Sequence, residues 1–162
     1  MDDNKISLYE EDVYKREAPR EESLSLVVFR LGPEWYGVPI AEAKEVVPVD
    51  KVTYLPFAPS FIVGIANLRG NILAVTDLKP VFGLPQAELT EQARIVVIYS
   101  GQFETGLLVD EVADIMDVPL SKIDPTLATI PRPLNEYFKG EHKAQDRLIA
   151  ILNIEKILER KE

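Results

Sequence analysis

From Leu24 onward, apolar residues fall in short runs separated by glycine and proline, and seldom at helical spacing. Leu26-Val27-Val28-Phe29, Ile72-Leu73-Ala74-Val75, Ile95-Val96-Val97-Ile98-Tyr99, Gly106-Leu107-Leu108-Val109 and Leu148-Ile149-Ala150-Ile151-Leu152 are short and mostly β-branched or aliphatic, which predicts strands. Gly32-Pro33 and Ser100-Gly101-Gln102 lie where the chain would reverse between two such runs, so each marks a hairpin. The 12 prolines disfavour long helices. Helical spacing is confined to residues 40–47 and 154–160, the latter with Ile154, Ile157 and Leu158 on one side. Residues 139–146 read as a polar loop.

The chain also resembles itself. The segment starting Leu26-Val27-Val28-Phe29 lies over that starting Ile95-Val96-Val97-Ile98 at a constant offset of 69, with Gly32 over Gly101 and Gly37 over Gly106. Further on, Phe61-Ile62-Val63-Gly64 lies over Tyr137-Phe138-Lys139-Gly140, and Ile72-Leu73-Ala74-Val75 over Leu148-Ile149-Ala150-Ile151, at an offset of 76. Either two hairpins are alike by chance or the order of elements is duplicated. Duplication predicts two β lobes, residues 24–90 and 91–162, with strands exchanged between them. A lobe of that size has a marginal core alone, so the two should pack on or interleave with each other. The seam between them is then a natural groove.

Composition narrows the function classes. With 46% hydrophobic and 28% charged residues, the 162-residue chain reads as a soluble globular protein of one domain or two small lobes. Lys plus Arg total 18 against 27 Asp plus Glu, a net charge of -9 that disfavours nucleic acid and anionic membranes as partners. The start lacks a basic stretch followed by an apolar one, and no uncharged run approaches the span of a bilayer. The expectation is a cytoplasmic protein without membrane insertion. Residues 1–23 are rich in charge and poor in apolar side chains, as in a flexible acidic arm, or in a peptide around Ile6-Ser7-Leu8-Tyr9 that folds on binding. There is no cysteine, which excludes disulfides and thiolate chemistry.

Catalytic chemistry has little to stand on. The one histidine, His142, sits in a polar stretch. Neither a phosphate-loop pattern nor a dinucleotide fingerprint surrounds Gly64 and Gly70. Asp110, Glu111, Asp114 and Asp117 could offer oxygens to a hard cation in a small metal-dependent enzyme, but they lack the spacing of a calcium loop and read foremost as a solvated acidic edge. Two charges lie inside apolar stretches, Glu45 and Arg69. They are an ordinary salt bridge at a lobe edge, or the rim of a protein-binding surface.

Trp35-Tyr36-Gly37-Val38-Pro39-Ile40, Glu45-Val46-Val47 and the run Ala58-Pro59-Ser60-Phe61-Ile62-Val63-Gly64-Ile65-Ala66-Asn67-Leu68-Arg69-Gly70 strongly resemble the CheW family of bacterial chemotaxis coupling proteins. The second half agrees in Gly106-Leu107-Leu108-Val109-Asp110-Glu111-Val112 and Tyr137-Phe138-Lys139-Gly140, so coverage extends from about Leu24 to the C-terminus. The resemblance implies a mainly β fold of two interleaved five-stranded SH3-like barrels with short helices and a C-terminal helix. It implies an adaptor without catalytic activity, cofactor or metal, recruited to membrane-associated receptor arrays. Its partners would be the regulatory domain of a CheA-type histidine kinase and the cytoplasmic hairpin tip of chemoreceptors. Carried over to this chain, Glu45 and Arg69 match charged positions tied to receptor coupling and Gly64 a glycine at which bulk disturbs it; Ala43, Val46, Leu68 and Gly70 line the same neighbourhood. Kinase contacts are expected at apolar loop and edge positions of a lobe end. Ala74, Thr76 and Lys79 depart from the residues usual in relatives, so an adaptor of pilus motility or another kinase array, or a purely structural module of an array, stays open.

Overall fold

The computed structural model describes residues 21–159. They form strands β1 (Ser23–Leu31), β2 (Glu34–Pro39), β3 (Ala43–Pro48), β4 (Val52–Tyr54), β5 (Ile62–Leu68), β6 (Asn71–Thr76), β7 (Arg94–Ser100), β8 (Phe103–Val109), β9 (Glu111–Pro119), β10 (Phe138–Lys143) and β11 (Leu148–Leu152). Helix α1 (Lys79–Phe82) follows β6, and α2 (Ile154–Glu159) follows β11. The five apolar runs fall within β1, β6, β7, β8 and β11, and both hairpins turn where expected. The acidic arm lies outside the described residues up to residue 20; Ser23 already opens β1.

Two expectations are corrected. Residues 40–47 are not a helix: a 3-10 turn, Ile40–Glu42, leads into β3, which pairs antiparallel with β7 from Ala43↔Ile98 to Pro48↔Arg94. The β-branched pair Val46-Val47 and the closing Pro48 suit an edge strand, and cross-strand pairing outweighs a weak helical period. The stretch 139–146 is not all loop, because β10 pairs with β11 from Phe138↔Leu152 to Lys143↔Leu148. Its polar composition reflects exposed Lys139 and Lys143 and a buried Glu141 at the edge of the sheet, and the isolated bridge Asp124↔Glu141 supports its other side.

Strand order gives the duplication its physical form. One sheet runs β10-β11-β2-β1-β9, the other β3-β7-β8-β6-β5-β4. Exchanging β1, β2, β9, β10 and β11 for β7, β8, β3, β5 and β6 turns the order of one sheet into that of the other. Each sheet therefore takes its central hairpin from one half of the chain and its remaining strands from the other. Each hairpin is joined to the other half's strands on both sides: antiparallel at β1 with β9 and at β7 with β3, and parallel at β2 with β11 and at β8 with β6, where Gly37 faces Ile151 and Gly106 faces Val75. These are the interleaved SH3-like barrels expected, with one difference: the second sheet carries a sixth strand, the three-residue β4.

Interleaving explains why the hairpin strands read as unbroken apolar runs rather than alternating ones. In β7, Ile95 and Val97 pack with Ala66, Leu73, Val75 and Leu108 inside one barrel, while Val96 and Ile98 face a core shared by both. In β1, Leu26 and Val28 pack inside the other barrel with Val118, Ile149 and Ile151, while Phe29 and Leu31 face the shared core. Both faces of these strands are buried, so both parities are apolar. Each such side chain contributes about 1.5–3 kcal/mol by leaving water. Tyr36 lies among Phe29, Phe82 and Phe138 in the shared core, at ring centroid distances of 6.0, 5.5 and 6.0 Å. Burial, helped by the charge of Glu34, pushes its phenol above the ordinary tyrosine range.

Candidate functional site

Strand β3 presents two different faces because side chains alternate along it. Ala43, Glu45 and Val47 are half-buried, and Lys44, Val46 and Pro48 are exposed. Lys44 donates to Glu104 at 2.8 Å and lies 5.7 Å from the centre of the Tyr99 ring. That hydrogen bond, and then the carboxylate's charge, hold the Lys44 ammonium above its usual range. Glu45 points the other way, toward the turn that joins β5 to β6.

That turn is closed by two residues, Arg69 and Gly70, between the paired Leu68 and Asn71. Both have left-handed backbones, with φ of 53° at Arg69 and 86° at Gly70. Positive φ at both central positions is the signature of a type I′ turn, whose twist matches the flanking strands. Gly70 adopts it freely, whereas at Arg69 it costs about 1–2 kcal/mol. The Asn67 side chain accepts from the Gly70 amide at 3.1 Å and helps to hold the turn. The run Asn67-Leu68-Arg69-Gly70 thus encodes a strained, well-fixed corner that carries an arginine.

Arg69 Nη1 donates to Glu45 Oε2 at 3.1 Å, with the arginine side chain 81% exposed and the glutamate side chain 28%. A pair this exposed contributes at most about 1 kcal/mol to stability. The left-handed backbone serves the hairpin, but neither the choice of arginine at that position nor its ion pair gains much for folding. Beneath them, Val47 of β3 and Leu68 of β5 pack against the same barrel core although their strands stand far apart in the sheet order. The sheet curls until both strands reach one core, and the Arg69–Glu45 pair bridges the space between them.

The structure gathers some of the expected site residues and separates others. Glu45 and Arg69 touch, and Gly70 is exposed beside them. Leu68 and Ala43 lie half-buried below the surface, Ala43 against the shared core. Val46 is on the opposite face of β3, 43% exposed. Gly64 is buried within β5 opposite Tyr54, and an added Cβ would lie 2.0 Å from the Thr53 carbonyl oxygen. It is where the backbones of β4 and β5 come too close for any side chain.

The acidic residues 110–117 do not converge. Asp110 accepts from the Gly32 amide at 2.6 Å, Glu111 pairs with Arg30 at 3.0 Å, Asp117 bonds Ser25, and Asp114 is exposed on β9. Among the described residues no group of three such side chains could hold a metal ion, and no helix is long and apolar enough to cross a membrane. Sequence reading missed a buried cluster: Lys79, with its side chain 2% exposed, lies 3.3 Å from Asp77 and 3.7 Å from Asp110. The only signal was Lys79 standing where arginine is usual.

Comparison with known proteins agrees with this geometry. The CheW-like domain family matches residues 25–162. "Chemotaxis protein CheW" of Klebsiella aerogenes is 32% identical over 136 residues, spanning 84% of this chain and 82% of the relative. "Protein PilI" of Pseudomonas aeruginosa is 30% identical, spanning 79% of this chain and 72% of its own length. Among solved structures, the scaffolding protein TtCheW from Thermoanaerobacter tengcongensis superposes with a TM-score of 0.74 at 33% identity, covering 84% of this chain and 88% of that one. With its sheet order, its Asn-Leu-Arg-Gly corner and these matches, the chain belongs to the CheW-like family.

Proposed function

We propose that this chain is a non-catalytic adaptor that couples chemoreceptors to a CheA-type histidine kinase in bacterial chemotaxis signalling. It works in the cytoplasm and is recruited there to membrane-associated receptor arrays. Family membership supports the scaffold role, since CheW-like proteins are scaffolds rather than enzymes. The observation that carries the receptor role is the exposed Arg69 on a strained turn, paired with Glu45. A position that favours glycine or asparagine but carries an exposed arginine marks a residue kept for function rather than for folding. A receptor helix would lay its apolar face beside β3 and β5, with the two charges fixing its register.

The kinase contact is assigned to the apolar end around Tyr54, Leu55 and Phe57. Phe57 is fully exposed with a left-handed backbone at φ 67°, whereas Leu127, left-handed at φ 55° in the loop before β10, packs against the shared core. One loop tucks its apolar residue in and the other holds it out.

Replacing Arg69 with glycine removes the guanidinium and relieves the turn. In a reconstituted array, Arg69→Gly should lower receptor-dependent kinase activation at least tenfold. Its unfolding free energy should stay unchanged or rise by up to about 1 kcal/mol. Full coupling by this folded variant would remove the receptor assignment. An adaptor of pilus motility or another kinase array is the second reading, favoured by the similarity to a relative named other than CheW.

A further inference from the structure

The duplication places a second, differently charged site where the first barrel matches the Glu45–Arg69 corner. At the offsets of 69 and 76 these residues lie over Asp114 and Gln145. Around them is an open cleft of about 440 Å³, between β9 and the turn joining β10 to β11. Its charged lining is Asp114, Lys122, His142, Lys143, Asp146 and Arg147.

Three fixed cations stand against two carboxylates there, in a chain whose net charge is -9. Arg147 lies 3.9 Å over the Trp35 ring and 3.7 Å from Asp146, and His142 Nδ1 donates to the Lys122 carbonyl at 3.1 Å. Lys122 and Lys143 are exposed and have no carboxylate partner among the described ion pairs. Such a cleft takes an anionic segment.

Where the described chain begins selects the occupant. The Glu22 carbonyl accepts from the Leu120 amide at 2.9 Å, and Ser23 pairs with Pro119. Residues 1–20 are therefore joined to the described chain where it pairs two positions from Lys122. They contain Glu10-Glu11-Asp12, nine residues before Glu21, a tether that reaches up to about 30 Å. A tether this short gives an effective concentration in the millimolar range, which favours the chain's own segment over a free competitor of similar charge. We infer that Glu10-Glu11-Asp12 of this chain dock on the cleft formed by Lys122, Lys143 and Arg147. This inference is independent of the receptor reading.

His142 is the only histidine in the chain and lines the cleft, which makes it a built-in reporter. The test compares the full chain with Glu10→Gln, Glu11→Gln, Asp12→Asn by following the His142 ring proton through a pH titration by NMR. Docked carboxylates favour the imidazolium, so the full chain should titrate about half a pH unit or more higher at low salt. The difference should vanish in 1 M salt, where the screening length falls to about 3 Å. It should not depend on protein concentration. Equal titration of the two proteins would overturn the inference and leave the cleft to an acidic segment of another protein. A shift that grows with concentration would overturn it in favour of docking between copies.

Discussion

At the scale of single residues, this chain handles charge in two opposite ways. Arg69 is exposed, and its pairing with Glu45 adds little stability. Lys79 is buried between Asp77 and Asp110 at the start of α1, and its Nζ makes no hydrogen bond. Removing one member of a buried pair leaves an uncompensated charge, which typically costs 3–5 kcal/mol. Lys79→Met should accordingly lower the unfolding free energy by about 3–5 kcal/mol in a urea titration; a loss under about 1 kcal/mol would mean that the two carboxylates are satisfied without it. The neighbouring departures Ala74 and Thr76 form part of the same seam. Thr76 Oγ1 lies 2.9 Å from Thr105 Oγ1, which donates to the Ala74 carbonyl at 2.9 Å, so a hydroxyl in place of an aliphatic group finds a partner across the parallel join of β6 and β8.

At the scale of elements, the close approach of β4 to β5 is the most vulnerable point near the candidate site. A Cβ at Gly64 would overlap the Thr53 carbonyl oxygen, so β4 must move for any side chain to enter. Gly64→Val should cost about 1–3 kcal/mol and speed hydrogen exchange at the Val52–Tyr54 amides while leaving the β7–β8 hairpin protected. Uniform acceleration across both sheets would instead show that the strain spreads. The strands most legible in the sequence were the central hairpins, because burial on both faces makes Ile95-Val96-Val97-Ile98 continuous. The least legible were β3, β9 and β10, whose exposed and polar residues dilute the apolar signal and leave pairing to decide. The Arg69 corner was visible as a motif, but its contact with Glu45 arises from sheet curling, which local sequence does not encode. The Lys44 contact with Glu104 likewise joins residues far apart in the chain.

At the scale of the molecule, the exchange of hairpins makes the two barrels one body. Each core contains residues from both halves, as where Ile95 and Val97 of β7 pack with Leu73 and Val75 of β6. Surfaces anywhere on the molecule are thereby held at a fixed separation, which is what a scaffold needs. The Arg69 corner and the Phe57 end both belong to the barrel that carries β4, and the basic cleft belongs to the other. This division suits a module with one working barrel and one that engages its own acidic segment.

The adaptor reading rests on binding a kinase, and calorimetric titration of the full chain with the regulatory domain of a CheA-type kinase from the same organism measures that most directly. Saturable one-to-one binding is the predicted result. No heat and no complex at about 50 µM, beyond the range of a working micromolar contact, would contradict it.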